Sequence, residues 1–350
     1  MTISTPRLYL GTMTFGWGQT SSAVDQGVAL KMLKTFMSGG HTFVDTARIY
    51  AGGKTESILG DVLHEVDPGD RPSLAVGTKA HPSQPHGLSP AGIRDQLDAS
   101  LVAMGLESVG EFYLHQPDPD SSLLESLRTT DSLMKEGKIG AVGMSNYHSS
   151  EMERAFRLCD EHGLTKPTVY QGLYNPLNRM AETELIPILR ANGCSFVAYN
   201  PLAAGLLTGK HRKAEDGTVA KGRFKNNPNY LPRFYTDTNF AAVDAVREAC
   251  DAEGISMVEA TYRWLMRHSA LDKNDGVLLG ASSMKQLKQN LDGCNASTEN
   301  GSLPDSILFA FEEAWRLTKD APFPYWRSYS SDMPGRDSLD PGASYSATKK

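Results

Sequence analysis

The chain has 350 residues, 40% of them hydrophobic and 22% charged, and carries a formal net charge of -6. This is an ordinary globular composition, and an acidic balance without a basic stripe argues against a nucleic-acid surface. No run approaches the roughly 18 apolar residues of a membrane span, and residues 1–10 lack the basic-then-apolar pattern of a secretory signal, so a cytoplasmic chain is expected.

A first strand is expected at Arg7–Leu10, followed by the loop Gly11–Gly18, whose glycines do not complete a dinucleotide fingerprint. A helix then runs from about Ser22 to Met37 on the apolar face of Val28, Leu30, Leu33 and Phe36, and stops at Gly39-Gly40. The alternation continues with strands near Thr42–Val44, Leu74–Gly77, Glu111–Leu114, Ile139–Gly143, Thr168–Gln171, Ser195–Tyr199 and Val277–Leu279. Between and after them the spacing predicts helices at Thr55–His64, Pro90–Met104, Leu123–Glu136, Glu151–Glu161, Glu182–Ala191, a helical region Phe240–His268, and Met284–Leu291.

About eight strand–helix units with short apolar strands are what a closed parallel sheet needs, because each parallel connection takes a crossover helix. The expected fold is therefore an α/β, (β/α)8 TIM barrel in one domain, residues 1–327, rather than an open doubly wound sheet. Two departures stand out: the excursion Asn200–Asp237, too long for a simple connection, and a C-terminal extension with a helix at Ser306–Leu317 and the aromatic run Phe323–Arg327. Residues 328–350, rich in Ser, Asp, Gly and Pro, are expected to form a mobile tail. The cysteines, Cys159, Cys194, Cys250 and Cys294, have neither zinc spacing nor a disulfide pattern; reduced, buried thiols and no metal are expected.

In such barrels the site lies at the carboxyl ends of the strands. Asp45, Lys79, His115, Asn146, Gln171 and Tyr199 all fall at or just after expected strand ends, and Tyr50 follows Asp45 by five residues. A phenol is a poor acid at its usual pKa of about 10, and a neighbouring ammonium that favours phenolate would make it a better proton donor. Lys54 offers a rival amine, since Tyr50-Ala51-Gly52-Gly53-Lys54 matches the Tyr-x-x-x-Lys pair of short-chain dehydrogenases; that pair needs a helix, which Gly52-Gly53 disfavours. Gly205–His211 is one residue short of a phosphate loop and lacks its Ser or Thr.

Asp45, Tyr50, Lys79 and His115 together resemble the catalytic four of the aldo-keto reductase superfamily. The resemblance extends through Gly143–Tyr147, Val169–Asn175 and Ala198–Lys210, is most similar to the aflatoxin-aldehyde reductase branch, and covers nearly all of residues 7–327. It implies NADPH-dependent reduction of an aldehyde or ketone, with Tyr50 as general acid, Lys79 lowering its pKa, Asp45 holding Lys79, and His115 orienting the carbonyl. Ser145, Asn146 and Gln171 would bind the nicotinamide carboxamide, and Tyr199 would stack on the ring. Asn200, Leu202, Gly205 and Lys210 would lie by the pyrophosphate, with Arg223 a further phosphate contact.

The adenosine end resembles Gly280–Asn290, where Gly280, Ser282, Ser283, Gln286, Gln289 and Asn290 are candidates. Gly280 and Gln286 stand where many relatives carry a basic pair for the 2'-phosphate, while Ser282, Ser283 and Lys285 could serve instead; NADP(H) is the expected cofactor. Substrate candidates are Met13, Trp17, Tyr147, Tyr174, Trp326 and Arg327, the last a carboxylate binder by resemblance. A homodimer is also implied. The alternative is a cofactor-binding regulatory subunit of the potassium-channel β type, with little turnover.

Overall fold

A computed structural model describes residues 5–18, 24–212, 224, 230–320 and 322–343, and forms a closed barrel of eight parallel strands in chain order. The strands are β1 (Arg7–Gly11), β2 (Phe43–Asp45), β3 (Ala75–Ala80), β4 (Glu111–Leu114), β5 (Val142–Ser145), β6 (Val169–Leu173), β7 (Ser195–Tyr199) and β8 (Gly276–Gly280). Outside them run α1 (Gln26–Ser38), α2 (Lys54–His64), α3 (Pro90–Met104), α4 (Leu123–Lys135), α5 (Ser149–His162), α6 (Ala181–Glu184), α7 (Ile186–Ala191), α8 (Leu231–Phe234), α9 (Asp237–Glu253), α10 (Met257–Arg267), α11 (Met284–Glu299) and α12 (Asp305–Thr318).

Polar residues set the helix starts. Asp25, Ser89, Ser122, Ser256 and Ser283 each accept a hydrogen bond from a backbone N–H in the first turn of α1, α3, α4, α10 and α11. The helical region expected at Phe240–His268 is two helices, because Gly254 caps α9 before Ser256 opens α10. The helix expected at Glu182–Ala191 divides at Leu185, just ahead of Pro187 in the first turn of α7. β5 lies later than Ile139–Gly143: Ile139 makes only an isolated bridge with Val109, and ladder pairing begins at Val142 opposite Phe112.

Strand parity sorts the side chains. Leu8, Leu10, Val44, Val76, Phe112, Leu114, Val142, Met144, Tyr170, Phe196, Ala198, Val277 and Leu279 join the helices in one large apolar core. The alternate residues Tyr9, Tyr113, Val169 and Val197, with Phe43 and Leu278 against them, fill the barrel itself. Glu111 is buried in that interior and accepts hydrogen bonds from Tyr9 (2.9 Å) and Tyr113 (2.5 Å). One or two steps toward the carboxyl end, the same inward rows deliver Asp45, Lys79, Ser145, Gln171 and Tyr199; the register pairs Ser145 with Gln171 and Leu173 with Tyr199.

The tail differs from expectation over its described part. Residues 328–343 pack against the barrel: Ser330 N–H donates to Glu151 (2.9 Å), and Ser331 N–H to the Ser121 carbonyl (3.0 Å). Asp332 accepts from Ser122 Oγ (2.6 Å) and Leu123 N–H (2.9 Å) at the start of α4 and pairs with Arg154 (2.8 Å). Gly342 returns to bridge Arg327. All four cysteines are buried and free, and burial raises each thiol, Cys159 to about 11 and Cys250 to about 12. Among the described residues no helix is long and apolar enough to cross a membrane, and no group of acidic, His and Cys side chains forms a metal cage.

Candidate active site

A cavity of about 1770 Å³ opens at the carboxyl ends of the strands. Asp45, Tyr50 and His115 line it, while Lys79 lies beneath them, fully buried. The Lys79 ammonium donates to Asp45 Oδ1 at 2.5 Å and to the Thr46 carbonyl at 2.8 Å. Asp45 Oδ1 also accepts from Gln171 Nε2 at 2.8 Å, which fixes that amide's orientation. Lys79 Nζ stands 5.4 Å from the centre of the Tyr50 ring, and the His115 ring meets Tyr50 edge-on at 5.9 Å. Three of the four residues named from the sequence thus line one end of one cavity, and Lys79 lies beneath them.

Their ionisation follows mainly from burial. Loss of solvent lowers Lys79 below the usual ammonium range, opposed first by Asp45. It drives His115 well below the imidazole range, with His81, Lys79 and Arg327 adding to the effect, so His115 is neutral. Burial raises the Tyr50 phenol well above 10; Asp45 and Tyr230 reinforce this and Arg327 opposes it. Lys79, expected to lower it, is itself paired with Asp45 at 2.5 Å. Tyr50 therefore keeps its proton.

Asn146, at φ 62, brackets three strand ends: Nδ2 donates to the His115 carbonyl and to Ser145 Oγ (both 2.8 Å), and Oδ1 accepts from Tyr199 OH (2.7 Å). Beyond Tyr199 the wall continues through Asn200, Leu202, Gly205 and Lys210. It ends at Gly280, Ser282, Gln286, Gln289 and Asn290. Ser282 donates to Gln286 Oε1 through both N–H (2.7 Å) and Oγ (3.0 Å). Ser283 caps α11 rather than lining the cavity, and Lys285 lies in an outer groove with Lys288 and Asp292. Arg223 falls outside the described residues.

Of the substrate candidates, Met13, Trp17 and Arg327 line the cavity. Tyr147, Tyr174 and Trp326 do not. Tyr147 and Tyr174 are core residues, the latter bonding Glu182 (2.5 Å) and packing on Trp264, and the Trp326 indole turns to the Asp340 carbonyl (3.1 Å). Aromatic character alone does not tell these core rings from pocket rings. Sequence reasoning missed His81, Gln116, Tyr230 and Arg233, all on the cavity wall. His81 follows Lys79 by two residues, so strand parity could have found it, and its ring meets His115 edge-on at 5.0 Å. Gln116 accepts from Arg327 Nη1 at 3.1 Å. Tyr230 and Arg233 come from the excursion, where no periodic signal exists.

The sequence model of the Aldo/keto reductase family matches residues 7–302. The chain belongs to the aldo/keto reductase family. Rat "Aflatoxin B1 aldehyde reductase member 2" is 39% identical over 322 residues, 89% of this chain and 85% of its own. The human protein of that name is 40% identical over 318 residues, 88% and 86%. Human "Aldo-keto reductase family 7 member A3" is 38% identical over 322 residues, 89% and 94%.

As an aldo/keto reductase it is an oxidoreductase of carbonyl compounds that works with a nicotinamide cofactor, and the residues present fit such a group. The cavity exceeds the roughly 300–1,000 Å³ of a drug-sized site. Amide and hydroxyl groups at Ser145, Asn146 and Gln171 suit a carboxamide, and a half-buried Tyr199 ring suits a planar heterocycle.

Proposed function

We propose that the chain is an NADPH-dependent reductase of aldehydes or ketones in which Tyr50 is the general acid. The observation that carries this reading is the meeting of a protonated phenol, a neutral imidazole and a buried Asp45–Lys79 pair in one cavity with room for both a dinucleotide and a carbonyl compound. When bound, the cofactor supplies hydride to the carbonyl carbon.

Ser145, Asn146 and Gln171 would hold the carboxamide, Tyr199 one face of the ring, and Asn200, Leu202, Gly205, Lys210 and Arg223 the phosphates. Gly280, Ser282, Gln286, Gln289 and Asn290 would receive the adenosine. Tyr50 hydroxyl gives its proton to the carbonyl oxygen, and His115 orients that oxygen. The Lys79 ammonium stabilises the phenolate as it forms, and Asp45 keeps Lys79 in place. Arg327, held by Gln116 at the substrate side, would receive a carboxylate carried by the substrate.

The test is NADPH oxidation over a panel of aromatic, dicarbonyl and carboxylated aldehydes, with Tyr50→Phe as the blank. Turnover should fall by at least about 100-fold in the variant. Near-normal turnover there would overturn the mechanism, and a lower KM for NADH than for NADPH would overturn the cofactor assignment.

A further inference from the structure

Tyr50 sits at the start of a turn that most sequences would avoid. Ala51, Gly52 and Gly53 follow with φ of 48, 65 and 93, three successive left-handed residues. Such a turn holds one shape only if its surroundings over-determine it. Main-chain bonds tie its approach to β3: Thr46 N–H donates to the Gly77 carbonyl (2.8 Å) and Arg48 N–H to that of Lys79 (3.3 Å).

The far side is held by side chains. Glu56, in the first turn of α2, is fully buried although an acid there is usually solvated. Its Oε2 accepts from Arg48 Nη1 at 2.7 Å and its Oε1 from Thr78 Oγ1 at 2.6 Å, and Thr78 is the neighbour of Lys79 on β3. The Arg48 guanidinium lies flush on the turn: a Cβ added to Gly53 would stand 2.6 Å from Nη2. The chain Gly53–Arg48–Glu56–Thr78 thus runs from the turn that carries the phenol to the strand that carries the amine.

We propose that Glu56 and Arg48 are positioning residues for Tyr50, a buried brace that sets the phenol's distance from Lys79. The inference rests on the general-acid reading of Tyr50. Neither side chain lines the cavity, so both act through the groups they hold. Glu56 also adds to the negative field that keeps Lys79 protonated, behind Asp45 and Glu111. Misplacing a reacting group by about 1 Å costs about 100-fold in rate, so a brace of this kind governs kcat rather than binding.

Glu56→Gln keeps the side chain's size and a partner for Thr78 but removes the charge. The expected result is a fall in kcat of about 10- to 100-fold with unchanged KM for the carbonyl and unchanged Kd for NADPH. The upper limb of the pH–kcat profile should move to lower pH, because Lys79 loses part of the field that favours its charged form. Thr78→Val removes the Glu56 link to β3 without altering any charge or the backbone of the turn, and should lower kcat with the limb in place. It decides the matter if Glu56→Gln does not fold.

Wild-type kcat in folded variants, or a loss matched by rises in KM and Kd, overturns the brace. Tyr50→Phe in parallel separates the two readings. Normal turnover in Tyr50→Phe removes the general-acid role itself, whereas an inactive Tyr50→Phe beside a normal Glu56→Gln removes only the brace.

Discussion

Both ends of the cavity wall carry left-handed backbone, at Ala51–Gly53 after Tyr50 and again up to Gly205, but the wall at Tyr50 is backed by a network of buried side chains that hold one another. At the first end, Lys79, Asp45 and Gln171 form one buried network, with Glu56, Thr78 and Arg48 behind it. At the second, Asn200, Ala203, Ala204 and Gly205 take φ of 54, 47, 57 and 110. The first arrangement holds its charged groups through paired side chains; the second is a run of left-handed backbone of the kind that suits a phosphate-bearing ligand. If the proposed roles hold, substitutions at the two ends should separate chemistry from binding.

The largest effect is expected at Lys79. Lys79→Met leaves Asp45 buried without its counter-charge, which should cost about 3–5 kcal/mol of stability by denaturant unfolding. It should also lower kcat by at least about 1,000-fold, several kcal/mol of lost stabilisation in the proton-transfer step. Lys54→Met, at an exposed position in α2, should leave both near wild type. The reverse pattern would restore the Tyr-x-x-x-Lys assignment.

At the other end Gly205→Val should weaken NADPH binding instead. A branched residue at φ 110 is strained by about 1–3 kcal/mol, about 5- to 150-fold in Kd if the loop shifts to relieve it. Stopped-flow or calorimetric Kd should rise while kcat at saturating cofactor holds. A change in kcat with constant Kd would erase the contrast drawn above.

Arg327 lines the cavity and bonds Gln116 beside His115. Arg327→Ala should raise KM for carboxylated aldehydes by about tenfold more than for neutral ones, the loss of a charge-assisted pair. Equal increases would deny it a carboxylate role.

A further effect is read in pH-dependent stability rather than in rate or binding. Burial holds His81 at about 4, against 6.5 unperturbed. Between those values the unfolded chain binds a proton that the folded one does not, so stability falls as pH drops from about 6.5 to about 4, by about 3 kcal/mol from this group. His81→Asn should flatten the acid limb of Tm against pH. Glu151, raised to about 7, works in the opposite sense, but it is common to both proteins.

Much of this was legible because strand parity is a two-residue code. Asp45, Lys79, Gln171 and Tyr199 could be aligned from the sequence since each ends an apolar strand, and the structure puts them on the inward rows. The code fails where a ring can serve either face: Tyr147, Tyr174 and Trp326 are buried away from the cavity. It also fails for Tyr230 and Arg233, which reach the wall from an aperiodic segment. Glu56 was invisible because an acid in a first helical turn is common, and only the packing of Arg48 on Gly53 shows what it holds. Composition did not show how residues 328–343 are held: Ser330 and Asp332 fasten them with hydrogen bonds to α4 and α5.

That fastening has a bearing on how the enzyme is made. Ser328, Pro341 and Ala343 close one side of the cavity, and they leave the ribosome after every strand and helix they rest on. The barrel can close and the Asp45–Lys79 pair can form while that side still stands open. That side of the cavity is therefore completed after the barrel, and a chain ending at Arg327 would have its cavity one wall short.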